Sequence, residues 1–287
     1  MISPHLRMWT GLGALLSGLF CFVTISAATE SIAVAVSVPP QAYFVEAVGG
    51  EQVQVQVAVP EDASPHTFFP TPRQVARMAS ARIYVAAGVE VELQLLPRLR
   101  AMTPDLVVVG EPATEHHDHQ HHDHPDPHSW LDPRQAAVQV SEISEALSAL
   151  LPDQAAVFAD RAAAEIARLD VLHAELATIL LPYRGRELLV AHPAFGHLAA
   201  AYGLHQVAVE QDGHEPTPRQ LGVLMQRDLR TLFVQPQVSR ATVASLVRSG
   251  DVAEVELNPL ARDYPANMRA MARAIAGALA AEDDEIR

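Results

Sequence analysis

The sequence predicts an α/β protein: two parallel-sheet α/β domains joined by a long rigid helix, with a ligand site in the cleft between them. Three observations carry that prediction. Strand-like and helix-like stretches alternate from residue 31 to about 110, and they alternate again from 187 to the C-terminus. Between the two blocks lies a 152–181 stretch that is rich in alanine, contains no glycine and repeats apolar residues at helical spacing.

The chain opens with a segment that does not belong to the fold. Arg7 precedes a mainly apolar run from Met8 to Ile25, and Ser26, Ala27 and Ala28 then supply small residues. This pattern predicts a cleaved secretory signal over residues 1–28. Cys21, the only cysteine, falls inside it. The exported chain is therefore expected to have no disulfide, thiolate metal site or cysteine nucleophile. The formal net charge is -14, from 20 basic and 34 acidic residues, which disfavours nucleic acid as a partner and suits attraction of cations.

The N-terminal domain is expected over 29–151. "SIAVAVSV" (31–38) reads as a buried strand, and "EQVQVQVAV" (51–59) as a strand with one polar face. "TPRQVARMAS" opens with the threonine and proline of a helix start, and "RIYVAAG" and "DLVVVG" are two more short strands. A histidine-rich loop follows at 115–125. Asp132 and Pro133 then form an N-cap and first-turn pair for a helix running to about Leu151. In the connecting helix, 152–181, the expected apolar face is Phe158, Ala162, Ile166, Leu169, Leu176 and Leu180. The C-terminal domain, 182–287, restarts the alternation. "ELLVAH", "HQVAVE", "TLFVQP" and "VAEVEL" read as strands; "AFGHLAAAYG", "TPRQLGVLMQRD" and "RATVASLVRSG" read as helices, with a last helix from Pro265. The likeness between the blocks reads as architectural, without a residue-level repeat.

Ligands of open parallel sheets bind beyond the carboxyl ends of the strands. Three histidines fall there: His66 after the second strand, His128 after the fourth strand and its insertion, and His192 at the end of "ELLVAH". Two come from the first domain and one from the second. Brought together, three imidazole nitrogens suit Zn²⁺, with a fourth position for water or an oxygen ligand. Taken singly, a histidine after a strand is more often a cap or a surface residue. Trp130 reads as a packing anchor, and His173 and His205 as structural or exposed.

Six of the nine residues from His116 to His124 are histidine: His116, His117, His119, His121, His122 and His124. The run has no apolar pattern and reads as a mobile, auxiliary metal-collecting loop. The alternative is a solvated linker that binds metal adventitiously.

"SPHTFFPTP", "DPHSWLDP" and "HPAFGHLAAAYGL" together resemble the signature segments of the metal-binding proteins of bacterial ABC importers, in particular the zinc-specific, ZnuA-like group with the TroA-like fold. The resemblance covers the chain after the signal, in order. It implies that His66, His128 and His192 are the metal ligands, and that the cargo is zinc, because manganese-type relatives usually carry glutamate at the His192 position. It implies a periplasmic, monomeric, non-enzymatic carrier that hands zinc to a membrane permease, with a periplasmic metallochaperone as a further candidate partner. The chain departs from the pattern at Asn258, where many relatives have aspartate, at Phe69, where they often have an acid, and at His197, where they often have tyrosine. The fourth ligand is accordingly open among water, Asn258 and Glu215. His197 reads as a neighbour of the site rather than a ligand, and His214 as a further candidate contact. The rigid connector implies a small tilt on loading rather than a wide hinge. The rival readings are a manganese or iron carrier, an adhesin of the same fold, and a secreted zinc hydrolase.

Overall fold

The structure is a computed structural model, and it describes residues 31–113, 126–210, 217–224, 226–227, 230–238 and 252–285. The expected signal peptide, the histidine-rich loop with His116, His117, His119, His121, His122 and His124, the pair His214 and Glu215, and the expected helix over 240–250 lie outside them. Residues 31–287 form one compact unit, and within it the described strands make two four-stranded sheets.

The first sheet contains β1 (Ile32–Val36), β2 (Val53–Val57), β3 (Ile83–Val85) and β4 (Val107–Val109), in the order β2-β1-β3-β4 and all parallel. The second contains β5 (Glu187–Val190), β6 (His205–Ala208), β7 (Thr231–Val234) and β8 (Ala253–Glu256), in the order β6-β5-β7-β8, again parallel. Position explains composition. Central β1 is almost wholly buried, as its apolar run predicts, whereas β2 lies at an edge and turns Gln54 to solvent. In both sheets the chain reverses its direction of strand addition after the second strand. The carboxyl edge at that reversal is where a parallel sheet leaves a crevice.

Helices α1 (Pro39–Gly49), α2 (Pro72–Met78), α3 (Val91–Met102) and α4 (Pro133–Leu150) belong to the first half. α2 starts where the threonine–proline pair predicts. Thr71 Oγ1 accepts from the Gln74 amide (3.4 Å), and Gln74 Oε1 accepts from the Thr71 amide (2.8 Å), a reciprocal cap. The tetrapeptide TPRQ recurs before α7 (Pro218–Leu224), where Thr217 and Gln220 repeat the same two bonds at the same lengths. This corrects the expectation that no residue-level repeat links the halves. Each TPRQ caps the helix that follows an edge strand. The N-cap of α4 is as expected: Asp132 Oδ1 accepts from the Arg134 amide at 2.9 Å.

The connector is α5 (Ala155–Leu180), 26 residues and about 39 Å long. Residues 152–154 form a short 3₁₀ turn in front of it rather than part of the α-helix. Its buried face is Phe158, Ala162, Glu165, Leu169, Leu172, Leu176 and Leu180. The expected Ile166 is only half-buried, and Glu165 is buried instead. The reason is polar: Glu165 accepts from the Tyr43 hydroxyl at 2.9 Å and from Arg168 at 3.0 Å, so the carboxylate is satisfied inside the core. α5 packs along α4 and against α1 and the last helix, α8 (Tyr264–Glu285).

One apolar core runs through both halves, from Val34 and Phe44 to Leu188, Phe233 and Leu279. The segment from Leu257 to Tyr264 ties the second sheet back to the first half. Trp130 Nε1 donates to the Pro259 carbonyl (2.9 Å), the Tyr264 hydroxyl donates to the Trp130 carbonyl (2.7 Å), and the Tyr264 ring meets Phe44 edge-on at 4.8 Å. Trp130 is thus the packing anchor that its sequence position predicts. Arg262 pairs with Glu46 across the same seam. Among the described residues, no helix is long and apolar enough to cross a membrane.

Candidate metal centre

His66, His128 and His192 converge, each offering one ring nitrogen, with no two of those atoms more than 4.8 Å apart. Each reaches the meeting point from beyond the carboxyl end of a strand. His66 sits in a tight turn after β2, where the amides of Thr67 and Phe68 donate to the Ser64 carbonyl. His128 precedes the 3₁₀ turn Ser129–Leu131, with its ring 5.2 Å from that of Trp130. His192 follows β5, and a turn from the Ala194 amide to its carbonyl (2.8 Å) fixes its backbone. The ring centroids are 5.3 Å apart for His66 and His128, 4.7 Å for His66 and His192, and 5.7 Å for His128 and His192.

A carboxylate holds the far nitrogen of each ring. His66 Nδ1 lies 2.5 Å from Glu90, His128 Nδ1 2.7 Å from Asp126, and His192 Nδ1 3.0 Å from Glu210. Ionised carboxylates only accept, so the network assigns the proton to each Nδ1 and leaves a lone pair on each Nε2. The Nε2 atoms of His66 and His128 then face each other at 3.3 Å, acceptor to acceptor. His192 Nε2 is buried without a hydrogen-bond partner among the described residues. Three inward lone pairs are repulsive toward one another and are satisfied together by a cation. Two nitrogens on a tetrahedral zinc, at about 2.0–2.1 Å from the metal, stand about 3.3–3.4 Å apart, which matches the His66–His128 spacing.

Electrostatics favour this arrangement. Burial pushes the His128 imidazole down to about 4, against the opposing pull of the Asp126 bond and charge, and the neighbouring His66 and His192 push it down further. His128 is therefore neutral, the form that binds metal, well below neutral pH. Burial raises Asp126 and Glu90, but their bonds to His128 and His66 outweigh it and hold both carboxyls below the usual range. The side chains of His66 and His192 keep 20% and 16% of their surface exposed, so the cluster is reachable by an ion from outside.

The other expected contacts fall out differently. Asn258 is fully engaged elsewhere: its Oδ1 accepts from the Leu260 amide (3.0 Å) and from Gln237 Nε2 (3.1 Å), and its Nδ2 donates to Glu61 Oε1 (2.8 Å). Two donors thus occupy Oδ1, and Nδ2 binds Glu61 of the first half to the second. His197 turns its Nε2 to the Asp126 carbonyl, 2.9 Å away, and stands beside the site. Glu215 and His214 lie outside the described residues. His173 stacks on Tyr202 with centroids 5.4 Å apart, and His205 begins β6 with its side chain exposed, as the expectation of structural or exposed residues allows. The carboxylates Glu90, Asp126 and Glu210 had not been picked out from the sequence. The signal was there: each stands near the carboxyl end of a strand, or two residues before a candidate ligand, on the same edge as the histidines.

Comparison with known proteins identifies the family and the fold. Residues 34–278 match the family model "ZnuA: Zinc-uptake complex component A periplasmic". The chain is 29% identical over 238 residues to the zinc-binding lipoprotein AdcA of Streptococcus pneumoniae, which covers 76% of this chain but only 48% of that protein's length. It is 28% identical over 218 residues to the manganese-binding lipoprotein MntA of Halalkalibacterium halodurans, covering 72% of each. Among solved structures, that of a ZnuA superposes with a TM-score of 0.79 at 32% identity, covering 87% of this chain and 99% of the other. The periplasmic zinc-binding protein TroA of Treponema pallidum superposes with a TM-score of 0.75 at 21% identity and shares the fold. With two parallel sheets, a long connecting helix and three histidines meeting between the strand ends, the chain belongs to the ZnuA family of periplasmic zinc-uptake components.

Proposed function

We propose that the protein is an extracytoplasmic carrier that captures Zn²⁺ through His66, His128 and His192 and hands it to the permease of an ABC importer. The carrying observation is the three inward Nε2 lone pairs, each backed by a carboxylate on Nδ1. The acidic surface raises the local cation concentration. The imidazoles then replace part of the hydration shell of the ion, and Glu90, Asp126 and Glu210 hold the rings in register and make them better donors. Water or another oxygen donor completes a four-coordinate site, since Asn258 is occupied elsewhere.

Lobes over 29–151 and 182–287, joined by the helix at 152–181, would take up and release the ion by a small tilt. The packing of α5 against α1, α4 and α8 supports a stiff joint. In this reading the signal over 1–28 exports the chain to the periplasm, where it works as a monomer, and the histidines at 116–124 collect metal. Zinc is favoured over manganese because three neutral imidazoles suit the softer ion, whereas manganese prefers carboxylate and carbonyl oxygen. Hydrolytic activity is disfavoured because Glu90, Asp126 and Glu210 are each bound to an imidazole, leaving none of these three free to act as a base on metal-bound water.

X-ray absorption on the zinc-loaded protein lacking residues 116–124 tests the reading. The expected spectrum has three imidazole nitrogens and one oxygen at about 2.0–2.1 Å. A first shell dominated by oxygen, or one with fewer than three imidazoles, would overturn it.

A further inference from the structure

Asp126 is held by both halves of the molecule. Its Oδ1 accepts from the backbone amide (3.0 Å) and lies 2.7 Å from Nδ1 of His128, so one oxygen fixes both the backbone and the ring of that histidine. Two further contacts of Asp126 come from the second half, from the start of α6 (Gly196–Tyr202). His197 Nε2 donates to the Asp126 backbone carbonyl at 2.9 Å. Gly196 is the neighbour of the second carboxylate oxygen, and a Cβ at that position would collide with Asp126 Oδ2. Only a residue without a side chain lets the carboxylate into that space. α6 also packs against the 3₁₀ turn Ser129–Leu131 that follows His128.

We infer that Asp126 is a positioning residue that makes the geometry of His128 depend on the apposition of the two halves, with Gly196 and His197 as the parts of the second half that read it. With the halves together, His197 anchors the Asp126 backbone, Gly196 admits its carboxylate, and the carboxylate aims His128 at the metal. When α6 moves away, Asp126 loses that support and the His128 ring loses its orientation. Opening thus loosens a ligand that belongs to the other half, in addition to withdrawing His192. The device supplies a route by which a small tilt releases a tightly held ion. It rests on the proposed zinc site, and it adds Gly196 and His197, which act on the site through Asp126.

Zinc release into excess chelator tests it, timed for the native protein, Gly196→Ala, His197→Phe and His197→Gln, with thermal unfolding of each metal-free form recorded beside it. Gly196→Ala and His197→Phe are expected to release zinc about 10- to 100-fold faster, the usual effect of losing support behind a ligating histidine. His197→Gln keeps an N–H donor and is expected to release near the native rate. The metal-free unfolding midpoints are expected to stay together, which a general packing defect would not allow. Native release from His197→Phe, or equal acceleration in His197→Phe and His197→Gln, would overturn the coupling, and the His197 pair decides the matter even if Gly196→Ala does not fold. His128→Ala separates the two levels. If it abolishes tight zinc binding while His197→Phe behaves as native, the coupling alone fails; if it leaves tight binding intact, the site itself is wrong.

Discussion

The metal-free protein should lose stability between about pH 6.5 and 4 because of one buried ring. His128 is 4% exposed, and burial lowers its folded-state value to about 4, whereas the unfolded chain titrates near the ordinary 6.5. Because the folded value is depressed, the unfolded state takes up a proton first as the pH falls. The neutral ring therefore costs nothing above about pH 6.5, and the penalty grows until the folded ring also protonates near 4. The full separation from 6.5 to about 4, at roughly 1.4 kcal/mol per pH unit, is about 3.5 kcal/mol, of which about 3 kcal/mol is reached by pH 4, where the folded ring is half-protonated; this is a sizeable share of the stability of an ordinary domain. Glu92 works in the opposite direction: burial raises its carboxyl, so its contribution to folding improves as pH falls. Comparison with His128→Gln removes that shared background. Urea unfolding of the metal-free native and His128→Gln proteins at intervals from pH 7 to pH 4 should show a steeper fall for the native chain, by about 3 kcal/mol over the range. Parallel pH dependences for the two proteins would refute the buried, neutral state assigned to His128. Saturating zinc should stabilise the native chain near neutral pH and do so far less for His128→Gln, which lacks one of the three imidazoles, because a ligand that binds only the folded state adds its own stabilisation.

The carboxylates behind the rings should matter through the ligands they hold: Glu90→Gln and Glu210→Gln are each expected to weaken zinc binding by about 10- to 100-fold in chelator competition, and native affinity in both would deny them that role. Asn258→Ala should leave zinc affinity nearly unchanged, because its side chain serves Glu61, Gln237 and Leu260 rather than the centre; a large loss would make it a ligand after all. Tyr264→Phe removes the donor to the buried Trp130 carbonyl and is expected to cost about 1–3 kcal/mol in denaturant unfolding, with zinc stoichiometry retained.

Much of this architecture could be read from residue order. Short apolar runs separated by capped helices specify parallel sheets, and the three histidines could be singled out because each lies in the loop that leaves the carboxyl end of a strand, where parallel sheets bind ligands. The carboxylates behind the rings were harder to read. Asp126 stands two residues before His128, whereas Glu90 and Glu210 lie 24 and 18 residues from their imidazoles, and the folded loops show that they reach them. Asn258 could be marked as a departure from the family pattern, but its actual partner, Glu61, lies 197 residues upstream. Helical periodicity placed the apolar face of α5 correctly apart from two positions: it left out the buried Leu172, and it favoured Ile166, whereas the Tyr43 hydroxyl draws Glu165 inward. The TPRQ repeat spans four residues, too few to stand out by pattern, and acquires meaning once both copies are seen to cap equivalent helices.

The most direct test of the account is calorimetric titration of the metal-free protein with Zn²⁺ and with Mn²⁺, repeated on His192→Ala and on a chain lacking residues 116–124. The account predicts one tight zinc site that survives the deletion and prefers zinc to manganese. It also predicts that His192→Ala weakens that site by more than about 100-fold, beyond the loss expected for a supporting residue. Tight binding that disappears with residues 116–124 and persists in His192→Ala would contradict the three-histidine centre.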